Sequence, residues 1–209
     1  MSIAKHPGRV LVTAIALGYV GLWIAFPPID NGTRPDFVRQ YLGELIGSTM
    51  MVLMASALLL STRWRFLESL FGGLDEMYAV HRNLGIIASL LLPLHFLVIP
   101  LKDNIPPGRA PGYIAFAGLL VLILLSLAPR LPVIRKVIRL RYRGWRISHK
   151  FIGIFFIMGT AHMLLVDTLV RTAVVPFTVL MIFIAAGIAS YLYTELIAKF
   201  ARRTPAELA

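Results

Sequence analysis

Six apolar segments, each long enough to cross a lipid bilayer as a helix, set the main limit on what this chain can fold into. A transmembrane α-helix needs roughly 20 predominantly apolar residues. The sequence offers such segments near residues 8–27, 41–60, 80–100, 112–128, 147–167 and 174–197. Pro, Gly and Asn cluster between them, as is typical of connections. The pattern predicts an all-α integral membrane bundle of six transmembrane helices forming one domain, residues 1–209.

The composition favours the same class. The chain is 58% hydrophobic and only 15% charged, and its mean hydropathy is +0.78. A net charge of +11 would suit a nucleic-acid binder, but the basic residues lie between the apolar segments rather than along one amphipathic face. We therefore expect membrane lipids and no nucleic acid as partners. The lack of cysteine excludes iron–sulfur clusters, thiolate ligands and covalent c-type haem attachment.

The distribution of Lys and Arg predicts the orientation. If the N-terminus lies inside, the inner segments carry fourteen of the 21 Lys and Arg, and five lie outside: Arg34, Arg39, Lys102, Arg109 and Arg171. Cytoplasmic loops are the ones enriched in these residues. Both termini are thus expected in the cytoplasm, with the protein in the inner (plasma) membrane. The basic stretch Ile134–Arg146 suits an amphipathic helix on anionic lipid or, alternatively, a docking surface for a soluble partner.

The third and fifth segments carry two histidines each, and ionisable residues inside a membrane point to function. Fourteen residues separate His81 from His95, and thirteen separate His149 from His162, which is roughly 20 Å along each helix axis. In the predicted orientation, His81 and His149 share the inner level, and His95 and His162 share the outer level. Two imidazoles per level with no carboxylate beside them suit the axial ligands of a b-type haem. We therefore predict two stacked b haems between the third and fifth helices.

Three other uses of these residues stay open at this point. A buried histidine often bonds only a backbone carbonyl, which would be a structural role. A haem-free transporter could use the histidines to bind or relay ions, although such proteins usually show broken helices or acidic partners at the midplane. A membrane anchor could recruit a soluble partner through residues 129–146. A zinc-type site is disfavoured, because its ligands must lie within a few ångström of one metal.

Several neighbouring residues are candidates for supporting roles. Arg82, Arg146 and Lys150 adjoin the inner histidines, where they could pair with haem propionates or snorkel to the membrane surface. Phe155 lies between the two histidines of the fifth helix and is a candidate for the electron path between the haems. Glu44, near the outer end of the second helix, could relay protons or bond a backbone group.

The histidine spacing on the third and fifth of six helices resembles the ferric reductase-like transmembrane domain, a superfamily that includes NADPH oxidases, metalloreductases and bacterial relatives. Local strings resemble the bacterial branch, namely Leu60–Trp64, Phe71–Asp75, His81–Gly85 and Trp145–Lys150. The resemblance implies an inner haem on His81 and His149 and an outer haem on His95 and His162. It also implies electron flow from cytosolic FAD and NAD(P)H to an outer acceptor, either ferric iron or dioxygen, and it places Phe155 between the haems.

The chain departs from the oxidase pattern in two respects. Ile99 stands where the oxidases have a further histidine, and Arg39 lies only at the mouth of the second helix rather than within it. The sequence to Ala209 also contains no G-x-G-x-x-G and no flavin-binding segment, so we expect the dehydrogenase to be a separate partner or a domain outside this chain. The second choice is an MsrQ-like haem subunit that delivers electrons to a periplasmic reductase.

Overall fold

The computed structural model describes residues 7–100, 107–127 and 141–198, and these residues are helical apart from short connections. Seven helices occur in the described part of the chain, and the last continues into a π-helical turn, Tyr193–Ile197. The helices are α1 (Pro7–Ala25), α2 (Phe37–Ser61), α3 (Arg65–Phe71), α4 (Leu74–Val98), α5 (Arg109–Leu127), α6 (Tyr142–Leu165) and α7 (Val174–Leu192). Six of them, all except α3, are long and apolar enough to cross a membrane. The all-α class with six candidate spans is therefore confirmed.

The third and fifth predicted segments correspond to α4 and α6, and both helices begin earlier than their apolar cores. The start of α4 is set by Gly72 and Gly73, whose φ angles of 80° and 122° are readily adopted only by glycine. Asp75 and Glu76 follow in the first turn, where negative charge interacts favourably with the helix dipole. The helix ends at Val98, because Ile99 is extended and precedes Pro100, which disfavours helical geometry in that residue.

Two features of the sequence prediction differ from the structure or fall outside it. The short helix α3 was not predicted; it lies between α2 and α4 and buries Leu67 and Phe71. The predicted amphipathic helix Ile134–Arg146 falls mostly outside the described residues, and its last five residues form the start of α6.

The first of two compact units contains α1 to α4 and α7. Its central helix is α2, and α1, α4 and α7 each pack against it. Most residues in the apolar part of α2 are therefore buried. Trp23 of α1 is fully buried, and its carbonyl accepts a hydrogen bond from the Tyr41 hydroxyl at 3.0 Å. Helices α2 and α4 run antiparallel, since Gly43 contacts Ile99 near one end and Ala57 contacts His81 near the other.

The second unit contains α5 and α6, which pack against each other along their lengths. These helices also run antiparallel. Gly108 lies against Val166 at one end of the pair, and Gly118 lies against Phe155 further along. Helix α6 is continuous from Tyr142 to Leu165 and carries both His149 and His162.

Candidate functional site

The four candidate histidines divide equally between the two units. His81 and His95 lie on α4 in the first unit, and His149 and His162 lie on α6 in the second. The pairing of rings across α4 and α6, and therefore each haem, stays a prediction.

Both histidines of α4 bind carbonyl groups of α2. His81 Nδ1 lies 2.9 Å from the Ala57 carbonyl oxygen, and His95 Nδ1 lies 2.7 Å from that of Gly43. The acceptors are fourteen residues apart, as are the two histidines, because two packed antiparallel helices advance at the same rise per residue. His81 and His95 therefore lie on the same face of α4, the face that packs against α2.

The two histidines of α6 have different surroundings. His162 Nδ1 lies 2.8 Å from the carbonyl oxygen of Gly108, the residue just before α5. The His149 ring stacks on the indole of Trp145, one turn earlier on the same helix, with ring centroids 5.1 Å apart and planes 29° apart. Aromatic stacking restrains the ring plane of His149, whereas a hydrogen bond restrains that of His162.

The carbonyl contacts determine which ring nitrogen can bind a metal. A carbonyl oxygen only accepts, so Nδ1 of His81, His95 and His162 must carry the proton and donate it. In a neutral imidazole the lone pair then resides on Nε2. A hydrogen bond of this kind also fixes the ring orientation of metal-bound histidines. Each of the three imidazoles can thus offer Nε2 to a metal, and this donor set fits the predicted cofactor.

The histidines do not cluster as ligands of a single ion. Among the described residues, no group of three or more His, Cys, Asp or Glu side chains lies close enough to hold a metal. A zinc-type centre needs such a group. A porphyrin supplies four ligands to its iron itself and requires only one or two from the protein, so imidazoles that are well separated along a helix remain compatible with haem.

Phe155 packs directly against the backbone of α5. A Cβ atom placed on Gly118 would overlap the Phe155 ring, so glycine at that position is what admits the ring. Phe155 lies between His149 and His162 on α6, as its sequence position requires. Its proposed part in electron transfer stays a prediction.

The three candidate cations all lie on helices that carry histidines. Arg82 follows His81 on α4 and is exposed; Arg146 is exposed near the start of α6, and Lys150 is partly exposed just after His149. A guanidinium or ammonium group beside His81 or His149 is of the kind that pairs with an anionic group such as a propionate. Whether they bind one stays a prediction.

Glu44 bonds backbone groups, which is one of the two roles left open for it. Its carboxylate accepts hydrogen bonds from the backbone N–H groups of Leu169 and Val170 at 2.9 Å and 2.8 Å. A third hydrogen bond, of 2.8 Å, comes from the amide of Gln40, one turn earlier on α2. A buried carboxylate requires partners of this kind, and Glu44 thereby fixes the connection between α6 and α7 to α2.

The sequence interpretation did not identify the partners of the histidines. They are the carbonyls of Gly43, Ala57 and Gly108, together with two glycines whose missing side chains admit an imidazole ring, Gly47 and Gly112. A usable signal was present, because Gly43 and Gly47 are four residues apart, as are Gly108 and Gly112. Small residues at this spacing are common where membrane helices approach closely.

Comparison with known proteins gives one family. The family described as ferric reductase like transmembrane component matches residues 46–160, more than half of the chain. The matched segment includes His81, His95 and His149 and ends just before His162. No curated protein matches the chain significantly.

Proposed function

Since the chain belongs to the ferric reductase-like transmembrane family, we propose that it carries electrons across a membrane through two bis-histidine b haems. The family suggests an oxidoreductase that transfers electrons across a membrane, and the six apolar helices make the chain a multi-pass membrane protein. Haem as the carrier, the ligand pairs and the two redox partners are the parts that we propose.

One observation carries the proposal. Three of the four intramembrane histidines direct Nδ1 to a backbone carbonyl, at distances between 2.7 Å and 2.9 Å. One such hydrogen bond could be a purely structural contact. The same contact occurs at three histidines on two helices, and it gives all three rings the same tautomer. That tautomer provides an Nε2 lone pair, which is what a haem iron accepts from an axial ligand.

The proposed pairs follow from the predicted depths of the histidines. His81 and His149 would hold the inner haem, and His95 and His162 would hold the outer haem. Bound haem supplies one-electron redox chemistry, while the protein supplies orientation and a low-dielectric surround. Ala57, Gly43 and Gly108 hold the rings through their carbonyls. Arg82, Arg146 and Lys150 would compensate the propionate charges at the inner level, and Phe155 would lie on the electron path.

The redox partners belong to the same proposal. Electrons would enter at the cytoplasmic face from FAD and NAD(P)H, bound either by a dehydrogenase domain outside this chain or by a soluble reductase. They would leave at the outer face to ferric iron or dioxygen. An MsrQ-like role, in which a periplasmic reductase is the acceptor, is the alternative that the same haem arrangement would serve.

The test is a spectrum and haem analysis of the purified protein and its single-histidine variants. We expect a b-type spectrum on reduction and two haems per chain in the unaltered protein. His95→Ala and His162→Ala should each remove the outer haem, and His81→Ala and His149→Ala should each remove the inner haem. His6→Ala is the matched control, because His6 precedes the first helix, and it should keep both.

Two results would contradict the proposal. A folded, monodisperse protein that binds no haem, expressed under haem-replete conditions, would exclude it, and ion flux through such a protein in liposomes would favour the transporter. Equal loss of both haems in all four variants, with the fold retained, would refute the assignment of ligands to two levels.

A further inference from the structure

The last turns of α4 and α6 are held by the same local arrangement, once in each unit. In both, a histidine and the residue four positions later pack on two glycines that are also four positions apart. We call each set a glycine clasp. The first clasp consists of Gly43, Gly47, His95 and Ile99, and the second consists of Gly108, Gly112, His162 and Val166.

The two clasps agree contact by contact. The first glycine accepts the histidine Nδ1–H through its carbonyl, at 2.7 Å in the first clasp and 2.8 Å in the second. The second glycine lies under the imidazole ring. The residue four positions after the histidine ends the helix, is β-branched and extended, and donates its backbone N–H to the histidine carbonyl, as Ile99 and Val166 do.

The i to i+4 spacing of the glycines has a physical reason. A helical side chain leans toward the N-terminus and covers the turn before its own Cα. The side chain at i+4 would therefore cover the carbonyl at i, which already accepts one hydrogen bond from the helix. Glycine at i+4 leaves the second lone pair of that carbonyl accessible, so that an imidazole from the neighbouring helix can reach it.

Neither clasp leaves room for a side chain on its second glycine. A Cβ on Gly47 would lie 2.7 Å from His95 Nδ1, and a Cβ on Gly112 would lie 2.6 Å from His162 Nδ1. Real Cβ atoms essentially never show contacts this short. The first glycines are also confined, Gly43 by the side chain and Cα of Ile99, and Gly108 by the side chain of Val166 and the backbone of Leu165 and Val166. A side chain at Gly47 or Gly112 must displace the imidazole or separate the helices.

His81 and His149 are held differently. His81 bonds the carbonyl of Ala57, and four residues later stands Ser61, so this contact is made with small residues but without glycine. His149 stacks on Trp145. The clasp is therefore specific to the two histidines that the sequence assigns to one depth.

We propose that Gly47 and Gly112 are positioning residues, each of which fixes the imidazole plane of the histidine packed on it, His95 and His162 respectively, and thereby the orientation of that ring as an axial ligand of the haem that the proposed function assigns to it. This inference rests on the proposed function. It goes further by assigning the orientation of each ring to a glycine on the helix packed against it.

The experiment compares Gly47→Ala and Gly112→Ala with Gly18→Ala and Gly21→Ala in the full-length protein. Nothing lies within 4 Å of a Cβ on either control glycine, and both controls lie in α1. The readouts are haem content, the low-spin EPR signals of the oxidised protein and the redox titration of each haem. Disturbing a residue that orients a metal ligand typically lowers affinity by about 10- to 100-fold.

We expect each clasp variant to lose or alter the EPR signal and potential of one haem, the same haem in both variants, while the other haem and the α1 controls stay unchanged. Retention of one normal haem shows that the variant has folded. The inference is overturned if both variants keep two unaltered haems. If the two variants affect different haems, it is the pairing of His95 with His162 in the proposed function that fails. If the unaltered protein binds no haem, it is the proposed function that fails.

A second readout does not depend on haem. In haem-free protein labelled with [15N]histidine, His95 and His162 should show the Nδ1–H tautomer, and Gly47→Ala should change the signal of His95 while leaving that of His162. A His95 ring already on the Nε2–H tautomer in the unaltered protein would contradict the clasp itself.

Discussion

The carboxylate of Glu44 accepts a hydrogen bond from the backbone N–H of Val170, a residue 126 positions later in the chain. Glu44 lies one residue after Gly43, whose carbonyl holds His95. One turn of α2 therefore serves two purposes: its backbone orients a histidine and its side chain fixes the connection between α6 and α7. The buried charge is satisfied by three donors, which explains how a carboxylate is tolerated within an apolar helix.

Replacing Glu44 by alanine should destabilise the protein. The N–H groups of Leu169 and Val170 would lose their acceptor, and each buried donor left without a partner costs about 1–3 kcal/mol. Glu44→Gln should cost less, because its amide oxygen can still accept from one N–H. Thermal unfolding in detergent measures the difference. Asp36→Asn is the control, because it removes an exposed carboxylate beside the same helix and should leave stability unchanged. If Glu44→Ala were as stable as Asp36→Asn, the hydrogen bonds of Glu44 to Leu169 and Val170 would not contribute to stability.

Gly118→Ala and Gly21→Ala should shift stability in opposite directions. A Cβ at Gly118 would overlap the Phe155 ring, and overpacking of this kind costs about 1–3 kcal/mol. At Gly21, within α1, nothing lies within 4 Å of the added Cβ, and alanine is favoured over glycine in a helix by roughly 0.5–1 kcal/mol. Unfolding temperatures of both variants check the signs. Destabilisation by Gly21→Ala as large as that by Gly118→Ala would contradict the packing of Phe155 on α5.

The predicted orientation can be tested by single cysteines, since the chain has none of its own. Ser69 on α3 and Thr33 between α1 and α2 are both exposed. With a cytoplasmic N-terminus, Thr33→Cys should react with a membrane-impermeant maleimide in intact cells, and Ser69→Cys should react only after the membrane is opened. Each variant serves as the control of the other. The opposite labelling pattern would reverse the assignment made from Lys and Arg.

Arg9 of α1 and Glu76 of α4 form an ion pair. Exchanging the two charges should show how much this pair contributes to stability. The two side chains are 40% and 33% exposed, so solvent screening limits the pair to about 0–1 kcal/mol. Glu76→Arg should destabilise the protein, and adding Arg9→Glu should restore part of the loss in a double-mutant cycle. Asp75→Arg is the matched control, because it changes the same helical turn; rescue of this variant by Arg9→Glu to the same extent would show that the effect is not pairwise.

The sequence by itself determined the features that depend on local composition. Six apolar segments gave the number of spans, because the thickness of a bilayer requires a minimum length of helix whatever the tertiary fold. It also gave the positions of His81, His95, His149 and His162 on two of those spans, since an ionisable residue within an apolar segment stands out without further information. Helix ends were less well predicted, because capping glycines and acidic first turns extend α4 beyond its apolar core.

Only the tertiary structure decided what those side chains meet. The carbonyls that accept the Nδ1 protons lie 24, 52 and 54 residues away in sequence from their histidines. The two backbone donors to Glu44, in the connection between α6 and α7, lie 125 and 126 residues away from it. No periodicity links residues at such separations. Which carbonyl becomes accessible, and which glycine admits a ring, depends on how two helices are brought into register, and that is settled by packing along their whole length.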